Sequence, residues 1–372
     1  MHGCNGVIWR LTVYRAVYSC NCLMFVCSLQ GSTERVRTFV EATVSVLTTD
    51  DFRMHFRMSR SCFERLAQRL ARTDEFTVSS RHGGRSPIPI DKALLISLWT
   101  LATPDSYRSI SNLFDVPKSS VLMCLRRVCR ASIASVCKEI VRFPENEDDI
   151  KSNEDRFFNV RGLSRVLGAI DGCHIPIKAP SHEPAAYVNR KGFHSVVLQA
   201  VVDSRMFFLD CYAGWPGSVH DARVFRNSPL FSYGEKVCRP GKFIVGDAAY
   251  PLLQWLLVPY RDNGRLTHVQ KNFNFVHSST RCTVERAFAL LKGRWRRLKY
   301  LDMKHMQDIA EVVMTCCVFH NICLQNDKDT ELFLPPDNDN DSEGAGVHSY
   351  GDQYDINANK IRDDIAETLT NV

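Results

Sequence analysis

Twice in this chain an apolar run of strand character ends on an aspartate. Arg165-Val166-Leu167-Gly168-Ala169-Ile170 runs into Asp171, and Lys242-Phe243-Ile244-Val245-Gly246 runs into Asp247. A carboxylate at the end of a buried strand is costly unless charge or hydrogen bonds compensate it. In an open α/β sheet, ligands gather at the carboxyl ends of the strands. The two runs therefore call for a sheet with an acidic site at its strand ends. His194–Asp203 and Met206–Ala213 read as two further strands, joined by the short turn Asp203-Ser204-Arg205. A helical piece around Ala222–Asn227 and a long helix over about Thr283–Leu298 complete a mixed α/β unit. No period of 20–50 residues repeats, so a solenoid is excluded.

Upstream of Glu145 the pattern is helical. Ser59–Leu70 carries helical spacing at Phe63, Leu66 and Leu70, and Thr73–Pro89 is a loop marked by Gly83, Gly84, Pro87 and Pro89. Asp91 is expected to cap the apolar helix Ala93–Ala102, which Pro104 ends. Ser106–Ile133 has the outline of a helix-turn-helix: a short helix over Tyr107–Phe114, a turn at Asp115-Val116-Pro117-Lys118, and a second helix capped by Ser119. Such a second helix can enter the major groove of DNA, with Lys118, Ser119, Ser120, Met123 and Arg127 outermost. The alternative is a packed helical hairpin with a solvated basic face. Residues 145–155 form a polar linker. The expected organisation is an extension over 1–45, poorly ordered, a helical unit over 46–145, the α/β unit over 160–325 and an acidic tail over 326–372.

The charge is unevenly divided. Residues 326–372 hold 12 acidic and 3 basic side chains, which leaves the other 325 residues with a net charge of +15. A basic body points to a polyanionic partner, nucleic acid before membrane. The 15 cysteines form no spaced framework and mostly lie in apolar runs, the pattern of free thiols in a reducing compartment. Ala16–Thr33 is uncharged behind Arg10 and Arg15, which resembles a weak leader or anchor. The run is short for a membrane span, so no stable membrane association is expected.

Glu285 and Asp221 join the two strand-end aspartates as candidates. Glu285 is read at the start of the long helix, whose apolar stripe is Val284, Phe288, Leu291 and Trp295; Arg281, Lys292 and Arg296 share its adjacent face. Asp221 closes the turn Gly214-Trp215-Pro216-Gly217-Ser218-Val219-His220, where His220 is a ligand, a proton shuttle or a turn residue. A set of oxygen donors favours Mg2+ or Mn2+ over zinc. Cys317, His320 and Cys323 have ligand-like spacing but lie in the apolar stretch Val312–Leu324, read as a core helix.

Five ordered motifs resemble the PIF/Harbinger DDE transposases and their domesticated nuclease relatives. They are Gly168-Ala169-Ile170-Asp171-Gly172-Cys173-His174-Ile175, Asn189-Arg190-Lys191-Gly192-Phe193-His194-Ser195 and Gly217-Ser218-Val219-His220-Asp221-Ala222-Arg223-Val224-Phe225. The remaining two are Gly246-Asp247-Ala248-Ala249-Tyr250-Pro251 and Arg281-Cys282-Thr283-Val284-Glu285-Arg286-Ala287-Phe288 followed by Lys292-Gly293-Arg294-Trp295. The resemblance covers about Phe52 to Gln325. It implies an RNase H-like mixed-sheet fold with Asp171, Asp247 and Glu285 as the catalytic acids and Asp221 as a further metal ligand. It also implies a nuclear protein, with a cytoplasmic pool left open, working with a Myb-like partner. Cys173 stands where the family usually has threonine, and Ala248-Ala249 where a pair such as Ser-Gly is common; neither change removes a ligand.

The function expected is metal-dependent cleavage of DNA phosphodiester bonds, with two cations held by the acids. Lys118, Ser119, Arg127, Lys191, Lys292 and Arg296 are the expected DNA contacts. Arg294 and Arg297 are further basic candidates. The rival expectations are a domesticated DNA-binding protein without turnover and a scaffold acting through its acidic tail.

Overall fold

The computed structural model describes residues 39–77, 87–238, 241–326, 333 and 355–370. The expected extension up to residue 38, with its leader-like run, and the middle of the acidic tail lie outside the described residues. The helical half opens with α1 (Thr49–Phe56), α2 (Arg60–Leu70), α3 (Ile90–Ala102), α4 (Tyr107–Leu113) and α5 (Lys118–Ser132), and α6 (Glu147–Arg161) leads into the sheet. Three of these starts are set by serine or threonine hydroxyls: Thr48, Ser59 and Ser106 each accept an amide of the first turn. The caps expected at Asp91 and Ser119 are not used. Pro89 and Pro117 hold those positions, because proline's fixed φ suits a helix start and its missing N–H costs nothing there.

Among the described residues the sheet has five strands in the order β3-β2-β1-β4-β5. They are β1 (Val166–Pro176), β2 (Ser195–Val202), β3 (Phe208–Pro216), β4 (Phe243–Val245) and β5 (Leu256–Leu257). β1, β2 and β3 are antiparallel neighbours, while β4 runs parallel to β1 and β5 parallel to β4. β1 is longer than its apolar run suggests. Asp171 pairs with Ala200 of β2 in mid-strand rather than ending β1. Only the parallel ladder with β4 stops before it, at the Ala169–Val245 pair.

Between β3 and β4 lie α7 (Asp221–Arg226) and α8 (Pro229–Cys238); after β5 come α9 (His268–Arg294), α10 (Met306–Asn326) and α11 (Ile356–Thr368). α9 starts some fifteen residues before the expected Thr283. The cause is a capping box at its N-terminus: the Thr267 hydroxyl accepts from the Gln270 amide, and the Gln270 side chain accepts from the Thr267 amide. Glu285 therefore sits in the second half of this helix. The far end of the acidic tail is ordered as α11, which docks on α9 through Asn272 Nδ2 donating to the Leu369 carbonyl at 3.3 Å.

One apolar core joins the two halves. Phe52, Phe56, Leu98 and Val128 from the helices belong to the same cluster as Val196, Phe208, Trp295 and Phe319. α10 carries the join, with α5 on one side and β3 on the other. Its Val313, Cys316, Cys317, Phe319 and Cys323 are fully buried. Complete burial of an aliphatic or aromatic side chain contributes roughly 1.5–3 kcal/mol. His320 belongs to this core and spends Nε2 on the Met206 carbonyl, 3.0 Å away. No helix among the described residues is long and apolar enough to cross a membrane.

Candidate carboxylate centre

The parallel register of β1 and β4 fixes the two aspartates of the apolar runs. Ala169 pairs with Val245, and Asp171 and Asp247 each follow two residues later, so the same end of the sheet presents both. Asp247 is held in the loop after β4, where its Oδ1 accepts the Ala249 amide at 2.9 Å. Asp171 Oδ1 accepts the amide of Gly172 at 2.8 Å. Asp221, the first residue of α7, lies against Gly172. A Cβ built on Gly172 would stand 2.3 Å from Asp221 Oδ1, so only glycine leaves room for that carboxylate beside β1.

Arg281 ties the fourth acid to the first. Its Nη1 donates to Asp171 Oδ2 at 2.5 Å, and its Nη2 meets Glu285 Oε1 at 2.7 Å. The i,i+4 spacing on α9 puts Arg281 and Glu285 on one face, and β1 lies under that face. Asp171 and Glu285 thus share a single guanidinium fork. Asp171 and Arg281 keep only 16% and 19% of their side-chain surface, whereas Glu285 keeps 42%.

The electrostatics follow from this crowding. Burial pushes the Asp171 carboxyl well above its ordinary value; Arg281 pulls it back, and Asp247 and Asp221 push it further up. Burial also raises Asp247, against the Ala249 amide and Arg281. Tyr250 is raised by burial and then by Asp221, Asp171 and Asp247 together. Its buried hydroxyl has no hydrogen-bond partner among the described residues. Arg281 is held more firmly protonated: burial works against its charge, and Asp171, Glu285 and Asp247 outweigh burial.

Several of the expected basic residues gather nearby. His174, three residues along β1 from Asp171, is lowered to about 4 by burial and then by Lys292, Lys191 and Arg190. Lys292 Nζ donates to the His174 carbonyl at 3.1 Å. Arg190 contacts His220 Nδ1 at 2.5 Å, so His220 is tied to the rim of the site as well as starting α7. Lys118 and Ser119 stand exposed in the first turn of α5, and Arg296 is exposed beyond α9, where its charge bears on Arg57.

The basic face expected on α5 is differently used. Arg127 donates through Nε and Nη2 to the Glu75 carbonyl and lies over the Phe76 ring, 4.3 Å from its centroid. Arg126 is paired with Asp308 and Arg130 with Glu311, both on α10. Arg294 and Arg297 are buried, donating to the carbonyls of Arg57 and Asp105. Charge in the sequence does not show these engagements; the spacing puts Arg281 on the face of Glu285, as expected, but not its reach to Asp171.

Four carboxylates offering only oxygen, with Asp171 and Asp221 both against Gly172, have the donor chemistry of a hard divalent cation. Among the described residues, however, no three acidic, histidine or cysteine side chains close up into a finished metal group. The positive charge between Asp171 and Glu285 is the guanidinium.

Comparison with known proteins gives the chain's relatives. Residues 170–321 match a family described as DDE superfamily endonuclease. The chain is 29% identical to HARBI1 of Homo sapiens over 263 residues, covering 68% of this chain and 72% of that protein. HARBI1 of Mus musculus is 30% identical over 257 residues with the same coverage. Protein ALP1-like of Arabidopsis thaliana is 32% identical over 300 residues, 75% of this chain and 72% of the relative. No solved structure matches the chain significantly.

Proposed function

The chain belongs to the PIF/Harbinger family of DDE transposases and their domesticated relatives, and from that premise we propose that it is a divalent-metal-dependent nuclease acting on DNA. The observation that carries this reading is the convergence of Asp171, Asp221 and Asp247 on one end of the sheet, with Glu285 brought to Asp171 by Arg281. Burying mutually repelling carboxylates costs stability, and a metal centre is the use that matches their oxygen-only chemistry. The sheet order, with three antiparallel strands and then parallel β4, supports an RNase H-like fold.

In this reading Asp171, Asp221, Asp247 and Glu285 hold Mg2+ or Mn2+. When bound, such ions supply Lewis acidity toward a scissile phosphate and lower the pKa of an attacking water. Lys191 and Lys292 position the DNA backbone at the rim, with Lys118, Ser119 and Arg296 as outlying contacts. Arg127 is withdrawn from that role by Glu75 and Phe76. The short helix α4, its turn and α5 serve as the helix-turn-helix. With Arg126 and Arg127 engaged inside the protein and Arg130 paired with Glu311 at the surface, that unit has few side chains left to read bases. A Myb-like partner supplying recognition, and residence in the nucleus with a cytoplasmic pool, fit that shortage.

A second reading, DNA binding without turnover, draws on the guanidinium lodged between Asp171 and Glu285. Nicking of supercoiled plasmid by the full chain in Mg2+ or Mn2+, beside Asp171→Asn, separates the two. Cleavage lost in the variant supports the nuclease; DNA binding with no cleavage in either supports the silent protein.

A further inference from the structure

The arginine at the carboxylate centre has three properties that act together. Its fork occupies Asp171 and Glu285 at once, at 2.5 and 2.7 Å, so the two acids furthest apart in the chain are both spent on one cation. It is an arginine and therefore cannot discharge itself by losing a proton; it keeps its charge when it leaves, which favours a new anionic partner. The same centre carries a basic rim to which a phosphate backbone would be drawn: Arg190 acts with Arg281 on Asp247, and Lys191 and Lys292 lie around His174, three residues along β1 from Asp171. Phosphate accepts the same two-pronged geometry that carboxylates do.

We infer that Arg281 is an internal counter-ion that keeps the carboxylate centre weak for metal until a DNA phosphate draws the guanidinium away. This deepens the nuclease reading and rests on it: metal and DNA then bind with positive linkage, each tightening the other by the same factor. Without DNA, a cation must displace an arginine from two carboxylates. With DNA, the arginine has a new partner and the carboxylates are left uncompensated. Glu285, the more exposed acid, is the end of the fork that opens first. Such a device confines metal-activated water to occasions when a substrate is present.

The test is calorimetric titration of Mn2+ into the full chain, free and saturated with a short duplex, with the DNA-only titration subtracted. Wild type, Arg281→Gln and Arg281→Lys are compared, and circular dichroism checks that each is folded. Expected are Mn2+ binding at least tenfold tighter in Arg281→Gln than in wild type without DNA, and a tenfold or greater gain on adding DNA in wild type only. Arg281→Lys keeps the charge but cannot fork across both acids, so it falls between; it carries the test if the glutamine variant does not fold. Equal or weaker Mn2+ affinity in the folded variants overturns the inference and leaves the metal centre standing. Absence of Mn2+ binding in every protein, with and without DNA, overturns the metal centre itself.

Discussion

Arg126 of α5 grips Asp308 of α10 with two donors, Nε to Oδ1 at 2.9 Å and Nη2 to Oδ2 at 2.5 Å, across 182 residues of sequence. Asp308 keeps only 7% of its side-chain surface. The pair fastens the helical half to the helix that covers β3. Arg126→Ala leaves a nearly buried carboxylate alone, and breaking a buried pair on one side costs on the order of 3 kcal/mol. Because Arg126 keeps 29% of its side-chain surface, about 2 kcal/mol is expected. The check is urea unfolding of the variant, together with its DNA affinity. A fall in stability with unchanged affinity assigns Arg126 to the fold; unchanged stability with weaker affinity would assign it to DNA.

Gly172 and Asp221 should behave as one unit. A methyl group on residue 172 would overlap the Asp221 carboxylate, and forcing extra atoms into a filled site costs typically 1–3 kcal/mol. Gly172→Ala is expected to lower stability by that amount and to weaken Mn2+ binding. Asp221→Ala removes the overlapping atoms, so the double variant should be more stable than the sum of the two single effects. Double-mutant cycles between touching residues give couplings of about 0.5–3 kcal/mol. Strict additivity in chemical denaturation would place Asp221 away from Gly172.

Much of this centre was legible in the sequence, and the limits are physical. The strands around Asp171 and Asp247 announce themselves because continuous apolar runs must be buried. The start of α9 did not, because its apolar residues before Thr283 are sparse and the signal was the Thr267–Gln270 capping pair. Asp171 was expected at a strand end, yet β1 continues to Pro176. The added length is specified by its antiparallel partner β2 and not by its own apolar run. The engagements of the α5 arginines were hidden for a related reason. A positive charge reads alike whether it faces DNA or an acid nearly two hundred residues away.

The rim lysines, and not α5, should govern the salt response of DNA binding. Each phosphate neutralised contributes about 0.9 to the slope of log affinity against log salt on duplex DNA. Lys191→Ala and Lys292→Ala are each expected to reduce that slope by roughly one unit and to weaken binding evenly across sequences. Lys118→Ala should change it less, since it stands on the first turn of α5, outside the cluster at His174. Fluorescence anisotropy on duplexes of varied sequence over a salt series measures this. A larger slope change for Lys118→Ala than for Lys292→Ala would move the DNA path to the helical half.

Acidification should destabilise the protein through two histidines that are buried without charge. His277 is lowered to about 4 and His320 to about 3, in both cases chiefly by burial. His277 also faces Arg281 and Arg362, and His320 faces Arg294. Each donates Nε2 to a carbonyl, of Leu257 and Met206, at 3.0 Å. With folded values below the ordinary 6.5, the unfolded chain binds the protons first. Their contribution is therefore complete above pH 6.5 and is lost as pH falls from there toward 4. Two pH units of this window amount to roughly 2–3 kcal/mol per histidine. Asp203 and Asp210 act in the opposite sense. Burial raises both, so they gain protons sooner in the folded state and add stability as pH drops toward 3.8. The histidine effect is isolated by comparison with His320→Gln, whose amide can donate to the Met206 carbonyl and does not titrate. Urea unfolding of both proteins at pH 7 and pH 4.5 should show a loss on acidification that is about 2 kcal/mol smaller in the variant. Parallel losses in the two proteins would mean that His320 reaches solvent and takes up its proton without unfolding the core.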